Sequence, residues 1–227
     1  MVSQASIEWL DVDGRARQSL GTSSAAIYSM VARALTERRV GGTLVDVGCG
    51  EGSLLQFIRH LFSDYTGVDA VRYEGFPGGA KFEQTNLDDN HVPLADGLAD
   101  VVAAIEIIEH LENPRAFMRE LVRLAKPGGW VVVTTPNQLS LLSLLTLIFK
   151  QRFSAFQDVH YPAHISALLE VDLKRIAAEC GLTEISIAYS LQGRLVRTSG
   201  HYPETLSRRF PRSLSDNLLM IGRKTFE

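Results

Sequence analysis

The run Leu44-Val45-Asp46-Val47-Gly48-Cys49-Gly50-Glu51-Gly52-Ser53-Leu54-Leu55 sets three glycines within five residues, between an apolar stretch and the start of a helical pattern. Glycine loses more backbone freedom on folding than any other residue, so such a cluster marks positive φ or a close approach to the backbone. Two readings stand. The cluster is a tight turn alone, or it receives a ligand at a helix N-terminus, where amides and a partial positive charge converge.

The surrounding pattern supports an open sheet. Upstream, residues 25–39 carry Ile27, Met30, Val31, Ala34 and Leu35 at helical spacing, with Ser23 or Ser24 as cap. The run 43–47 is the first strand, and downstream a helix over 53–61 leads to strands at 65–69, 81–84 and 100–105. A helix over 114–125, with proline in its first turn, follows. Lys126-Pro127-Gly128-Gly129 is read as its end, before an apolar strand at 130–135. A helix at 171–180 and strands near 183–189 and 218–222 complete the chain. Apolar strands alternating with helices imply an α/β, doubly wound, seven-stranded, mostly parallel sheet covered on both faces. Ligands of such sheets sit beyond the strand C-termini at the switch point, where the glycine loop falls. A single domain over 1–227 is expected, with an N-terminal arm at 1–22 and an inserted lid at 137–164.

The spacing narrows the ligand. A dinucleotide fingerprint, G-x-G-x-x-G, would need glycine at position 53, where Ser53 stands. The form here is D-x-G-x-G-x-G. An acid, Asp69, ends the second strand 19 residues beyond Gly50, suited to both hydroxyls of an adenosyl ribose. That position serves NAD and S-adenosylmethionine alike.

Five blocks, LVDVGCGEGSLL, TGVDA, FEQTNLDD, ADVVAAIEIIEHLENP and LAKPGGWVVVTTPN, resemble in order and spacing the class I S-adenosylmethionine-dependent methyltransferases, over roughly residues 25–182. The branch with ubiquinone-type O-methyltransferases is the most similar. The resemblance implies the Rossmann-like class I methyltransferase fold, with S-adenosylmethionine as cofactor and S-adenosylhomocysteine as product. It implies Asp46, Gly48, Cys49 and Gly50 at the amino-acid end of the cofactor, Asp69 on the ribose, and Ala70 beside the adenine. Asn86 and Leu87 match the adenine-amino position. Asn86 replaces the usual acid there but keeps an oxygen that accepts a hydrogen bond. Ile105 and Glu106 fall beside the methionine part and the transferred methyl.

After the fourth strand comes Glu106-Ile107-Ile108-Glu109-His110. Two carboxylates and an imidazole suit a divalent cation. The block is similar to one that small-RNA 2′-O-methyltransferases use for metal, with His160 or His164 as a fourth ligand. The stronger expectation is no metal, with Glu106, Glu109 and His110 in structural or pocket roles. His110, His160 and His164 are the candidate general bases, although in-line methyl transfer draws much of its rate from orientation.

The stretch 139–149 is apolar but too short for a bilayer, which needs about 20 residues. It is either a core helix or a greasy lid, and with Phe149, Phe153, Phe156 and Tyr161 it favours an acceptor with an apolar or lipid-linked part. Residues 194–227 carry seven Lys/Arg against Glu204, Asp216 and Glu227, which reads as a solvated surface or as a face for an anionic acceptor or membrane. The chain as a whole has net charge −3 over 227 residues and no basic stripe, so nucleic acid is not an expected partner. Cys49 and Cys180 show no metal spacing, and the N-terminus has no signal-peptide pattern, so a cytoplasmic setting is expected. The expected activity is O-methylation of a small molecule, sugar or amphipathic acceptor. The alternative is a noncatalytic S-adenosylmethionine-binding sensor or scaffold. An NAD enzyme is disfavoured by Ser53 and by the lack of a Y-x-x-x-K pair.

Overall fold

The computed structural model describes residues 21–89 and 91–226. The expected arm at 1–22 therefore lies outside the described residues except for Gly21 and Thr22. Seven strands form one sheet in the order β3-β2-β1-β4-β5-β7-β6. In chain order they are β1 (Gly42–Val47), β2 (Phe62–Asp69), β3 (Lys81–Gln84), β4 (Ala99–Ile105), β5 (Ala125–Pro136), β6 (Leu182–Tyr189) and β7 (Asn217–Lys224). β1 to β5 pair in parallel and β7 is antiparallel to both neighbours.

Helices cover both faces. α1 (Ala25–Glu37) and α2 (Leu54–Ile58) lie on one, α3 (Pro114–Leu124) and α5 (Glu170–Glu179) on the other. β4 shows why its apolar run is continuous: Val102 and Ala104 join the core with Phe117, Met118 and Leu121 of α3, while Val101, Ala103 and Ile105 join that with Val31 and Leu35 of α1. Successive side chains point to opposite faces, and both faces are covered. Two further helices, α4 (Leu141–Lys150) and α6 (Glu204–Arg209), lie between β5 and β7.

Local boundaries follow local chemistry. Asn113 caps α3 by accepting the Ala116 amide at 3.0 Å, with Pro114 at the first helical position. Ser24 occupies the N-cap of α1 but makes no side-chain cap bond. Lys126-Pro127-Gly128-Gly129 is not only a helix terminator. It lies inside β5 as an excursion: Ala99 pairs with Ala125 while Val101, two residues on, pairs with Trp130. Pro127 lacks an amide, and Gly128 takes φ +75°, so this stretch bulges from the ladder. Helix α4 is not a core helix, because Ser143 is its single buried residue.

Candidate functional site

The strand order reverses between β1 and β4, and a cavity of about 330 Å³ opens at their C-terminal ends. The glycine loop forms one wall. Gly48, Gly50 and Gly52 all have positive φ. At Gly50 (φ +52°) a Cβ would fall 2.0 Å from the Gly21 carbonyl oxygen, so glycine is required by conformation and by contact. Gly21 in turn accepts the Glu51 amide at 2.8 Å, and Ser23 donates its amide to the Tyr28 hydroxyl at 2.8 Å. The chain entering α1 is thereby strapped across the loop.

The loop amides have partners inside the protein. Gly48 and Cys49 donate to Val68 O, Gly50 to Asp69 Oδ2 at 2.8 Å, and Glu51 to Gly21 O. A pyrophosphate-binding loop would turn such amides outward. This loop shapes the cavity instead, which agrees with a ligand without phosphate.

Carboxyl groups dominate the cavity. Asp46 is buried, accepts the Tyr65 hydroxyl at 3.0 Å, and is pushed up to about 7 by loss of hydration. Burial also raises Asp69, against the Gly50 and Val71 amides that favour its charged form. Burial pushes the Cys49 thiol up as well, so Cys49 packs and is not a nucleophile. Glu106 adopts φ +53°, uncommon for a residue with a side chain. It is held by its amide to Thr134 Oγ1 at 2.9 Å and by Asn217 Nδ2 to its Oε2 at 2.7 Å. Burial pushes Glu106 up to about 7, and raises Glu109 further, with the Glu106 charge adding to the effect. Thr135 donates to Glu109 Oε2 at 3.1 Å. Oε1 of both glutamates is buried without a hydrogen-bond partner among the described residues.

The histidines face these acids. The rings of His110 and His164 meet edge to face at 4.6 Å, and His160 stacks on His164 at 5.4 Å. His110 Nδ1 lies 2.9 Å from Ala163 O and His164 Nδ1 2.7 Å from Ala155 O, which assigns a proton to Nδ1 in both and, in neutral His164, the lone pair to Nε2. His160 is the reverse: its Nδ1 accepts the Gln157 amide at 3.2 Å. Burial lowers His160 and His164, so both are neutral near pH 7. Glu109, His110 and His164 offer ligand atoms within 4.8 Å of one another. No metal is the stronger expectation from sequence; the alternative ligand set is Glu106, Glu109 and His110, with His160 or His164 as a fourth. Glu106 is bonded to Asn217, and the grouping contains Glu109, His110 and His164.

Of the residues singled out from sequence, Asp46, Gly48, Cys49, Gly50, Asp69, Ile105, Glu106, Glu109, His110, His160 and His164 line this one cavity. Ala70, Asn86 and Leu87 do not. Asn86 Oδ1 accepts the Asp88 amide and its amide group donates to Asp89, an Asx turn that starts a short 3₁₀ segment. Leu87 is buried in the core. Sequence reasoning missed the Gly21-Thr22-Ser23 strap, Tyr28 and Tyr65. It also missed Asn217, which opens β7; only the antiparallel direction of β7 brings that residue to the cavity end of the sheet.

A family model described as a methyltransferase domain matches residues 22–187. The chain belongs to that family. Its S-adenosylmethionine-dependent character follows from that family, and the curated relatives it matches include ubiquinone biosynthesis O-methyltransferases. It is 33% identical over 106 residues to a ubiquinone biosynthesis O-methyltransferase of Bordetella avium, covering 43% of this chain and 44% of that protein. The match thus spans less than half of that relative's length. The fold resembles a methyltransferase of Archaeoglobus fulgidus (TM-score 0.62, 17% identity, 87% and 94% of the chains). It also resembles the Burkholderia thailandensis 1,6-didemethyltoxoflavin N1-methyltransferase bound to S-adenosylhomocysteine (TM-score 0.60, 13% identity, 92% and 82%).

Proposed function

We propose that this chain transfers a methyl group from S-adenosylmethionine to a hydroxyl of a small or amphipathic acceptor. The observation that carries the reading is the placement of the Glu109, His110 and His164 cluster in the same cavity as the glycine loop and Asp69. Asp69 would bind the ribose, and Asp46, fixed by Tyr65, the methionine ammonium. Segment 159–164, which supplies Val159, His160, Ala163 and His164 to the cavity, would be the part of the lid that shields the acceptor.

Bound S-adenosylmethionine would supply the methyl group to the attacking acceptor oxygen, with the sulfonium–methyl bond breaking and S-adenosylhomocysteine as the leaving product. The hydroxyl proton passes to Nε2 of the neutral His164 imidazole, while the Nε2–H of His160 donates to the acceptor. A well-placed base of this kind contributes roughly 10²–10⁴-fold. O-methylation is also the chemistry in the name of the Bordetella relative.

A divalent cation fits the same three residues. Glu109 Oε1 is buried with no hydrogen-bond partner among the described residues, and the Ala155 carbonyl on Nδ1 turns the His164 Nε2 lone pair to the ligand role. A cation there would lower the pKa of an acceptor hydroxyl.

The test is release of S-adenosylhomocysteine with phenolic, catechol, sugar-hydroxyl and amine acceptors, for the native chain and for His110→Ala and His164→Ala. Turnover with hydroxyl acceptors, reduced at least about tenfold in each variant and with or without dependence on added Mg²⁺, supports the reading. Turnover with amines alone refutes it.

A further inference from the structure

Helix α4 presents apolar side chains that the other described residues leave uncovered. Seven of its ten residues are Leu, Ile or Phe, yet its single buried residue is Ser143. Leu141, Leu144, Ile148 and Phe149 are exposed, the last two at 65% and 82%. A surface helix of a globular domain ordinarily turns its apolar stripe to the core. A contiguous apolar patch at the surface marks a contact with something else.

Charge beside the patch states what that is. A groove of about 530 Å³ runs between α4 and the turn 194–201. Leu142, Leu145 and Leu195 supply apolar walls, and Lys150, Arg194 and Arg197 the only charges; no carboxylate lines it among the described residues. Arg194 is paired with Asp216, and Arg152, just beyond α4, with Asp158, so the surplus rests on Lys150 and Arg197. An apolar helix flanked by cations matches the boundary between headgroups and acyl chains of an anionic bilayer.

The other occupants fit less well. A free amphiphile in the groove would cover Phe149 but leave Leu141, Leu144 and Ile148 outside, since none of these three lines it. A second copy related by a two-fold axis would bring the same cations of both subunits to one interface. A membrane plane covers the groove mouth and the outer side of α4 together.

We propose that α4 and the turn 194–201 dock this protein on a membrane surface carrying anionic lipid. The segment beyond α4 joins this surface to the functional cavity: Ser154 and Gln157 line the groove, and Val159, His160 and His164 line the cavity. Ser154 is tied to α4 through its amide on Ser143 Oγ at 3.2 Å, and Lys150 donates to Gln157 at 3.2 Å. An acceptor held in the membrane therefore has a short route to the histidine cluster. That route rests on the methyl-transfer reading; the docking does not.

The experiment is co-sedimentation of the full chain with vesicles of phosphatidylcholine alone and of phosphatidylcholine mixed with phosphatidylglycerol, at low and high salt. The native chain pellets with the mixed vesicles, and added salt weakens this. Lys150→Gln and Arg197→Gln each weaken it about fivefold. The double variant Ile148→Asp/Phe149→Asp abolishes it. Native-like thermal melting and S-adenosylmethionine titration in every variant separate a failure of docking from a failure of folding or of the cofactor reading. Four outcomes overturn the proposal. They are no pelleting, pelleting that the variants do not change, binding of monomeric dodecyl phosphate without vesicle binding, and a dimer in sedimentation velocity that Phe149→Asp dissolves.

Discussion

Replacing Gly50 by alanine strikes the loop at its most constrained point. The residue sits at φ +52°, and an added Cβ would lie 2.0 Å from the carbonyl oxygen of Gly21 and 2.5 Å from its carbon. Both atoms are backbone, so no side-chain rotation relieves the clash. The left-handed conformation alone costs alanine about 1–2 kcal/mol. Moving the strap breaks the Glu51-to-Gly21 hydrogen bond, worth about 1 kcal/mol. Together these give about 2–3 kcal/mol, which in a chain of this length lowers the melting temperature by roughly 5–10 °C. Gly79→Ala is the control, because nothing lies within 4 Å of its Cβ position. Thermal and urea unfolding measure the loss, and calorimetry measures S-adenosylmethionine affinity, which should fall as the cavity wall shifts. A Gly50→Ala protein that melts and binds like Gly79→Ala would refute the close approach of strap and loop.

Burial raises Glu106 from 4.5 to about 7, so the folded chain keeps a proton that the unfolded chain releases. Its contribution to stability is full below pH 4.5 and declines as pH rises toward 7. Urea unfolding across that window should show the decline, and Glu106→Gln should flatten its share. Tyr65→Phe removes the hydrogen bond to a buried carboxyl and should cost about 1–3 kcal/mol. It should also move the pH midpoint of cofactor binding upward, since Tyr65 favours ionised Asp46; an unchanged midpoint would separate Asp46 from the cofactor.

The strands were legible because a sheet covered on both faces demands unbroken apolar runs, as in Val101 to Ile105. The glycine loop was legible because Gly50 has no substitute at positive φ against Gly21. Lys126 to Gly129 misled in part, since a turn-like composition inside a strand reads like an end of helix. The site was legible where each residue stands at the end of a parallel strand, as Asp69 and Glu106 do. It was illegible where long-range direction decides: Asn217 reaches Glu106 because β7 runs antiparallel, and His164 meets Glu109 across 55 residues of chain. Asn86 shows the opposite limit, because a matching position does not fix where a side chain makes its bonds.

The central claim is that this cavity binds S-adenosylmethionine through Asp69. Calorimetric titration of the native chain, of Asp69→Ala and of Asp69→Asn, which keeps an acceptor for the Gly50 amide, tests it directly, with NAD as the comparison ligand. The account predicts saturable binding of S-adenosylmethionine, at least roughly hundredfold weaker in Asp69→Ala from two lost hydrogen bonds to a charged group, and no NAD signal. Binding that survives Asp69→Ala undiminished, or binding of NAD in place of S-adenosylmethionine, would contradict it.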